Sequence, residues 1–211
     1  MEKIIFHKET KTFHLYNEEI SYIMCVLENG HMGQLYYGKR IHDKPDFSYL
    51  VEKCGRPMTS YIFEGDRSFS LEHIRQEYPV YGTTDYRHPA IEIMQENGSN
   101  ISEFQYVGYE ILKGKPSLKG LPATYTESEE EAETLKIILK DSLTGAKLTL
   151  LYTIFSKGSA IARSAHICNE GEKVLHLQTM MSLNLDLPDK DYVWMQLSGA
   201  WSRERYVKNR I

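Results

Sequence analysis

The sequence predicts an all-β protein, a large antiparallel β-sandwich with at most one short helix. Short apolar runs alternate with turn residues along the whole chain, and the apolar spacing of a helix is almost absent. In the last third, Leu135, Ile137 and Leu139 occupy every second position, which is the period of a strand with one buried face. No internal repeat and no linker divides residues 1–211, so we expect a single domain.

The first half of the chain has the pattern of short strands separated by turns. An Asn-Gly pair at 29–30 lies between two apolar runs, which is a strong hairpin signal. Residues 70–78 are the one candidate for a helical turn, because Leu71 and Ile74 lie three positions apart and Ser70 can cap the turn. The predicted strands of this half are 12–16, 21–27, 33–37, 47–51 and 60–63.

The second half continues the strand pattern with a clearer alternation. Residues 147–155 are apolar on both faces, which predicts an interior strand. Gly108 interrupts the run at 104–112, and turns such as 141–145 connect the last runs into a meander of roughly five strands. The acidic run at 127–133 repels itself and is expected to be a solvated loop. The predicted strands are 90–94, 104–112, 135–140, 147–155, 160–168 and 174–187.

Composition and charge exclude several classes of partner. The net charge is -4 and the 25 Lys and Arg residues are scattered, so neither nucleic acid nor an anionic membrane is expected as a partner. No run of about 18 apolar residues predicts a membrane span. The N-terminus lacks the apolar stretch of a signal peptide, and the three cysteines are widely spaced. We therefore expect a cytoplasmic protein.

Most catalytic and cofactor motifs are missing from the sequence. The eight histidines are dispersed and no Cys-x-x-Cys pair occurs, so no metal site is expected. Neither the Gly-x-Ser-x-Gly elbow of esterases nor a phosphate-binding glycine loop occurs, so no cofactor is expected. Asp85, Asp186 and Asp191 are the carboxylates that invite a catalytic interpretation. Each is expected to cap a turn or face solvent, so we assign no catalytic residue.

The segment 77–90 is the densest cluster of specialised residues in the chain. Gly82 and the Thr-Thr-Asp after it predict a turn, and a proline after His88 favours an extended backbone there. Tyr86 and Arg87 lie between the turn and that proline. The segment is either an ordered connection between strands or a loop that presents binding groups from a rigid scaffold.

Three segments resemble the N-terminal part of melibiase-type α-galactosidases, glycoside hydrolase family thirty-six. They are residues 70–90, residues 197–205, and residues 35–40 followed by 46–50. The resemblance implies a supersandwich-like β-domain that precedes a (β/α) barrel in a retaining enzyme for terminal α-galactosides such as melibiose and raffinose. In that family the catalytic Asp pair lies on the barrel. The sequence ends at Ile211 without barrel-like alternation. We therefore expect this chain alone to be inactive, and its sandwich to be truncated with an unpaired strand edge.

The resemblance also implies where this domain acts. Asp46, Phe47 and Tyr49 are expected to reach the sugar pocket, because a carboxylate accepts hydrogen bonds from hydroxyls and an aromatic ring covers a sugar face. An Asx turn after the preceding proline is the alternative role of Asp46. A second set of residues is expected at the interface with the barrel or with another subunit of a homo-oligomer. This set is Tyr86, Arg87, His88 and Trp201.

Two other functions remain open from the sequence. A stand-alone carbohydrate-binding or assembly β-sandwich module would have the same strand pattern without a catalytic partner. An unrelated small β-rich enzyme is the third hypothesis. A reading frame or neighbour that encodes a barrel with two catalytic Asp residues would distinguish the galactosidase domain from the module.

Overall fold

A computed structural model describes residues 3–55, 57–120, 123–188 and 190–210. In these ranges the chain forms twelve strands and two short 3₁₀ segments, Ser48–Leu50 and Glu129–Glu131, with no α-helix. The strands are β1 (Ile4–His7), β2 (Thr12–Tyr16), β3 (Ile20–Val26), β4 (Met32–Lys39), β5 (Ile91–Gln95), β6 (Phe104–Lys113), β7 (Ala132–Asp141), β8 (Ala146–Phe155), β9 (Ile161–Asn169), β10 (Leu175–Met180), β11 (Trp194–Ala200) and β12 (Arg203–Arg210). The predicted all-β class is confirmed.

Two four-stranded antiparallel sheets form the body of the domain. Their strand orders are β1-β2-β3-β4 and β6-β7-β8-β9, so neighbours in sequence are neighbours in space. The predicted Asn-Gly hairpin joins β3 and β4, with Gly30 at φ +86°. Next to Gly108, where the sequence predicted an interruption, the pairing of β6 with β7 has a bulge at Val107. The strand β8 is interior, as predicted, because β7 and β9 flank it.

The main hydrophobic core lies between the two sheets. Each strand contributes every second side chain to it, as the pleat of a strand requires. The first sheet contributes residues such as Phe13 and Met24, the second contributes residues such as Ile137 and Leu150, and the pair β5–β10 adds Ile91. This arrangement is a β-sandwich whose inner faces meet side chain to side chain.

A second, smaller core covers the opposite face of the first sheet. Ile23 and Cys25 of β3 point to this side, between the residues that enter the main core. The segment between β4 and β5 lies over them and buries Phe47, Phe69 and Leu71. The strand β3 is therefore covered on both faces. The loop that carries Asp46 belongs to this outer layer.

Some predicted elements in the outer layer were wrong. Residues 47–51 contain a 3₁₀ segment and residues 60–63 contain bends, because their apolar side chains pack down onto the sheet and their backbones pair with no strand. The predicted helical turn in residues 70–78 is present at its start, where the Ile74 amide donates to the Ser70 carbonyl at 3.2 Å. The Ser70 hydroxyl accepts a hydrogen bond from the Glu72 amide at 3.3 Å. The chain then straightens, since Gln76 forms a β-bridge with Gly33.

The C-terminal part also differs from the prediction. Only Leu175–Met180 of the predicted strand 174–187 is extended in a ladder. It pairs with β5 in a separate two-stranded sheet rather than with β9. The predicted five-stranded meander is therefore a four-stranded one. The strands β1, β11 and β12 were not predicted. The hairpin β11–β12 is paired internally and leaves Trp194 and Trp201 largely exposed.

Candidate functional site

The loop 41–50 is attached to the first sheet by contacts on both sides. The Asp43 carboxylate lies 2.7 Å from His14 Nδ1 and 3.0 Å from His7 Nε2. The Thr10 hydroxyl donates to the Pro45 carbonyl at 3.1 Å. Phe47 is fully buried and meets the His14 ring edge-on, with 5.5 Å between ring centroids. The loop therefore has a fixed base and an exposed rim.

Asp46 and Tyr49 form that exposed rim. The Ser48 amide donates to Asp46 Oδ1 at 2.7 Å, which is the Asx turn considered from the sequence. Hydrogen bonds from Ser48 lower the pKa of Asp46, so the carboxylate is ionised at neutral pH. The Tyr49 ring is 64% exposed, and the Lys44 ammonium lies 5.6 Å from its centroid. The structure thus leaves Asp46 and Tyr49 open to solvent and places Phe47 in the core.

The turn at 82–85 has a strained backbone. Reciprocal hydrogen bonds of 2.8 and 3.0 Å join Gly82 and Asp85, which confirms the predicted turn. Between them Thr83 has φ +50° and Thr84 has φ +77°. Two left-handed residues in succession are the pattern of a type I′ turn, in which Asn and Gly are usual and β-branched residues are strained. Backbone strain of this kind concentrates at functional loops.

Replacing Thr84 by glycine is expected to raise the free energy of unfolding by about 0.5 to 1 kcal/mol. The left-handed conformation costs an L-residue about 1 to 2 kcal/mol, and the extra backbone entropy of glycine offsets part of that gain. Urea unfolding would measure the difference. Ser142→Gly in the β7–β8 turn, where φ is not positive, is the control and should not stabilise the protein. Equal changes in the free energy of unfolding for Thr84→Gly and Ser142→Gly would show that the left-handed backbone at Thr84 is not strained.

Asp85 organises the rest of this loop from a buried position. Gln76 Nε2 donates to Asp85 Oδ2 at 2.6 Å, and Arg87 binds both carboxylate oxygens, with Nε at 2.9 Å and Nη2 at 3.0 Å. The bidentate pair of Arg87 is therefore made within the loop. Its hydrogen bonds to Asp85 raise the pKa of Arg87. Tyr86 remains 62% exposed and packs edge-on against Tyr81 at 5.4 Å.

The remaining predicted interface residues also lie at the surface. His88 is exposed and its Nδ1 lies 3.0 Å from the Pro89 carbonyl oxygen. Trp201 is 94% exposed at the tip of the hairpin β11–β12. The structure brings Tyr86, Arg87 and His88 together on one loop and places Trp201 on a different element.

Glu77 is a buried carboxylate under this loop, and the sequence pattern assigned it no role. Glu77 is fully buried, and its carboxylate accepts hydrogen bonds from the hydroxyls of Tyr22 at 2.8 Å and Tyr152 at 2.7 Å. Arg163 Nη1 lies 3.5 Å from the same carboxylate. Burial raises the pKa of Glu77, while Arg163 and the two tyrosines oppose that rise. The group joins the loop to both sheets, since Tyr22 lies on β3 and Tyr152 on β8.

Arg163 extends this network toward the C-terminal segment. Its Nη2 donates to the Glu77 carbonyl at 2.8 Å and its Nη1 to the Asn184 carbonyl at 3.1 Å. Its guanidinium also stacks on the Tyr152 ring at 4.7 Å. The sequence signal for this site was Arg163 itself, a charged residue on the apolar side of a strand, which implies a buried partner.

Other kinds of site find no support in the described part of the chain. Residues 3–55, 57–120, 123–188 and 190–210 contain no cluster of three or more His, Cys, Asp or Glu side chains that could hold a metal ion. Across the same ranges, no helix is long and apolar enough to cross a membrane.

Comparison with known proteins identifies the relatives of this fold. The model of the glycosyl hydrolase family 36 N-terminal domain matches residues 30–211. The α-galactosidase AgaA of Geobacillus stearothermophilus is 42% identical over 98% of this chain, and the α-galactosidase Mel36A of Lactobacillus acidophilus is 34% identical over 97%.

Solved structures agree with the sequence relatives. The α-galactosidase of Lactobacillus brevis matches 98% of this chain with a TM-score of 0.93 at 38% identity. A variant of AgaA in complex with raffinose matches 95% with a TM-score of 0.89 at 42% identity. This chain spans 28% of the length of each of these relatives. By sequence and by fold, the chain belongs to the glycosyl hydrolase family 36 N-terminal domain family.

Proposed function

We propose that this domain acts with a catalytic (β/α) barrel as part of a retaining α-galactosidase for terminal α-galactosides such as melibiose and raffinose. The observation that carries the proposal is the 42% identity to an α-galactosidase over 98% of this chain. A retaining glycosidase needs two carboxyl groups about 5 Å apart, and we assign that pair to the barrel. The chain by itself is then inactive, and the domain shapes the sugar pocket and supports assembly.

The rim of the loop 41–50 supplies the proposed sugar contacts. The ionised carboxylate of Asp46 would accept hydrogen bonds from sugar hydroxyls, and the exposed ring of Tyr49 would cover an apolar sugar face. The Asx turn engages one oxygen of Asp46, so turn formation and sugar binding are compatible. The buried Phe47 would act from below by holding the loop in place.

The exposed loop and hairpin supply the proposed interface. Tyr86, Arg87 and His88 would meet the barrel or a second subunit, and Trp201 would extend that surface. Large apolar side chains on β11 and β12, among them Trp194 and Leu197, are more than half exposed, as expected of a surface that is covered in an assembly. We also propose a homo-oligomer and a cytoplasmic location, where three free cysteines would remain reduced.

Joining this chain to the catalytic barrel of a family 36 relative tests the proposal. The fusion is expected to hydrolyse an aryl α-galactoside and raffinose, whereas the chain alone turns over neither substrate. The barrel alone is the control and should be less active or less soluble. An inactive but folded fusion, together with raffinose binding by the chain alone in calorimetry, would favour the stand-alone carbohydrate-binding module.

A further inference from the structure

A chain of hydrogen bonds lies beneath the loop 41–50. The Ile41 amide donates to Ser21 Oγ at 3.1 Å, and Ser21 Oγ lies 2.9 Å from His14 Nε2. On its other side, His14 Nδ1 lies 2.7 Å from the Asp43 carboxylate. Since the carboxylate can only accept, His14 donates from Nδ1. The lowered pKa of His14 keeps the ring neutral, so Nε2 accepts a hydrogen bond from the Ser21 hydroxyl. The backbone at 41 and the side chain at 43 are thus fixed to one neutral imidazole.

These residue types and this connectivity are those of a serine hydrolase triad, but a nucleophilic role does not fit. Ser21 and His14 are fully buried, on β3 and β2 respectively. The hydroxyl oxygen of Ser21 also accepts the Ile41 amide, and its burial leaves it no exposed surface for a substrate. The hydrogen bonds of Ser21 and His14 therefore hold the loop 41–50 in place.

The loop has further anchors, and each lies next to a residue of the exposed rim. Thr10 holds the Pro45 carbonyl at 3.1 Å, directly before Asp46. Phe47, directly after Asp46, packs on the His14 ring. His14 thus supports the loop in two ways, through the Asp43 carboxylate and through the face that receives Phe47.

We propose that His14 is a positioning residue of the sugar site: held between Ser21 and Asp43, it fixes the loop that presents Asp46 and Tyr49. This inference rests on the proposed function for the identity of what the loop contacts. The positioning itself can be measured without any sugar.

The charges around His14 make this support sensitive to acid. Asp43 faces the Nδ1 side of the ring. The nearby His7 and Arg40 side chains disfavour a positive charge on His14. Burial lowers the pKa of His14, and the hydrogen bond to Asp43 opposes that shift only in part. Burial also raises the pKa of Asp43, but the hydrogen bonds from both histidines outweigh it, so this pKa is lowered. The folded state therefore holds His14 neutral. The contribution of His14 to the stability of the loop is lost as the pH falls from the ordinary histidine value of 6.5 through the lower pKa of the folded state.

Amide hydrogen exchange of the 211-residue chain, followed by NMR, tests the positioning. In Asp43→Ala the amides of Ile41 and Ser48 are expected to exchange about tenfold faster, while the amide of Leu150 in the middle of β8 keeps its rate. Asp66→Ala is the control, because Asp66 also lies in the outer layer but accepts its hydrogen bonds from Ser68 and from no histidine.

Two replacements of His14 separate positioning from packing. In His14→Asn the side-chain amide can still donate to Asp43 from near the place of Nδ1, whereas in His14→Gln it extends toward Ser21. Slow exchange of Ser48 is expected to be retained better in His14→Asn than in His14→Gln. In wild type, protection of Ser48 should also fall as the pH drops below 6.5. Because Asp43 raises the pKa of His14, Asp43→Ala should extend this fall to lower pH.

Unchanged exchange at Ile41 and Ser48 in Asp43→Ala would overturn the proposal, as would an equal acceleration at Leu150. Kinetics of the barrel fusion then test the sugar contacts of the loop separately from its positioning by His14. A raised KM for raffinose in Asp43→Ala would support both the positioning and the sugar contacts. A loosened loop with unchanged KM and kcat would support the positioning by His14 and overturn the sugar contacts of the loop.

Discussion

Replacing Glu77 by alanine is expected to lower the free energy of unfolding by about 3 to 5 kcal/mol. The change leaves the Arg163 guanidinium buried without its carboxylate and leaves the hydroxyls of Tyr22 and Tyr152 without their acceptor. Removing one member of a buried charge pair is costly because the remaining charge stays in a medium of low polarity. Denaturant unfolding monitored by tryptophan and tyrosine fluorescence would measure the loss.

Glu110→Ala is the matched control for this effect. Glu110 also pairs with a cation, Lys136 at 3.0 Å, but both side chains are substantially exposed. Exposed ion pairs contribute less than about 1 kcal/mol, because water and salt screen them. Glu77→Gln, which keeps an acceptor oxygen for a tyrosine, should fall between the two. A Glu77→Ala variant no less stable than Glu110→Ala would show that the network does not hold the sandwich and loop together.

In a galactosidase that contains this domain, Asp46→Ala is expected to lower kcat/KM by about ten- to a hundredfold. A hydrogen bond from a sugar hydroxyl to a charged acceptor is worth about that factor if it persists in the transition state. Steady-state kinetics with raffinose and with an aryl α-galactoside would measure the change.

Asp46→Asn separates the sugar contact from the Asx turn. Asparagine keeps the oxygen that accepts the Ser48 amide, so the turn remains, while the negative charge is lost. We expect unchanged thermal stability and reduced kcat/KM. Asp66→Ala, which removes a similar Asx turn elsewhere in the outer layer, should leave kcat/KM unchanged. Equal kinetics for wild type, Asp46→Asn and Asp46→Ala would remove Asp46 from the site.

The fold class and most of the sheet strands were determined by the sequence alone. Alternation such as that of Leu135, Ile137 and Leu139 is local, since each strand must send every second side chain into the core. Turn chemistry is local too, so the Asn-Gly hairpin and the turn beginning at Gly82 were correctly predicted. The family resemblance of the three segments agreed with the relatives found by sequence and by structure.

The roles of individual polar and aromatic residues were decided only by the tertiary structure. Phe47 looked like a binding residue beside Asp46, but packing on His14 buries it. Glu77 meets Arg163 across 86 positions of sequence and Tyr152 across 75, distances at which no local pattern signals a pair. A buried charge is tolerated only where its partners converge, and that convergence depends on how the two sheets and the outer layer pack.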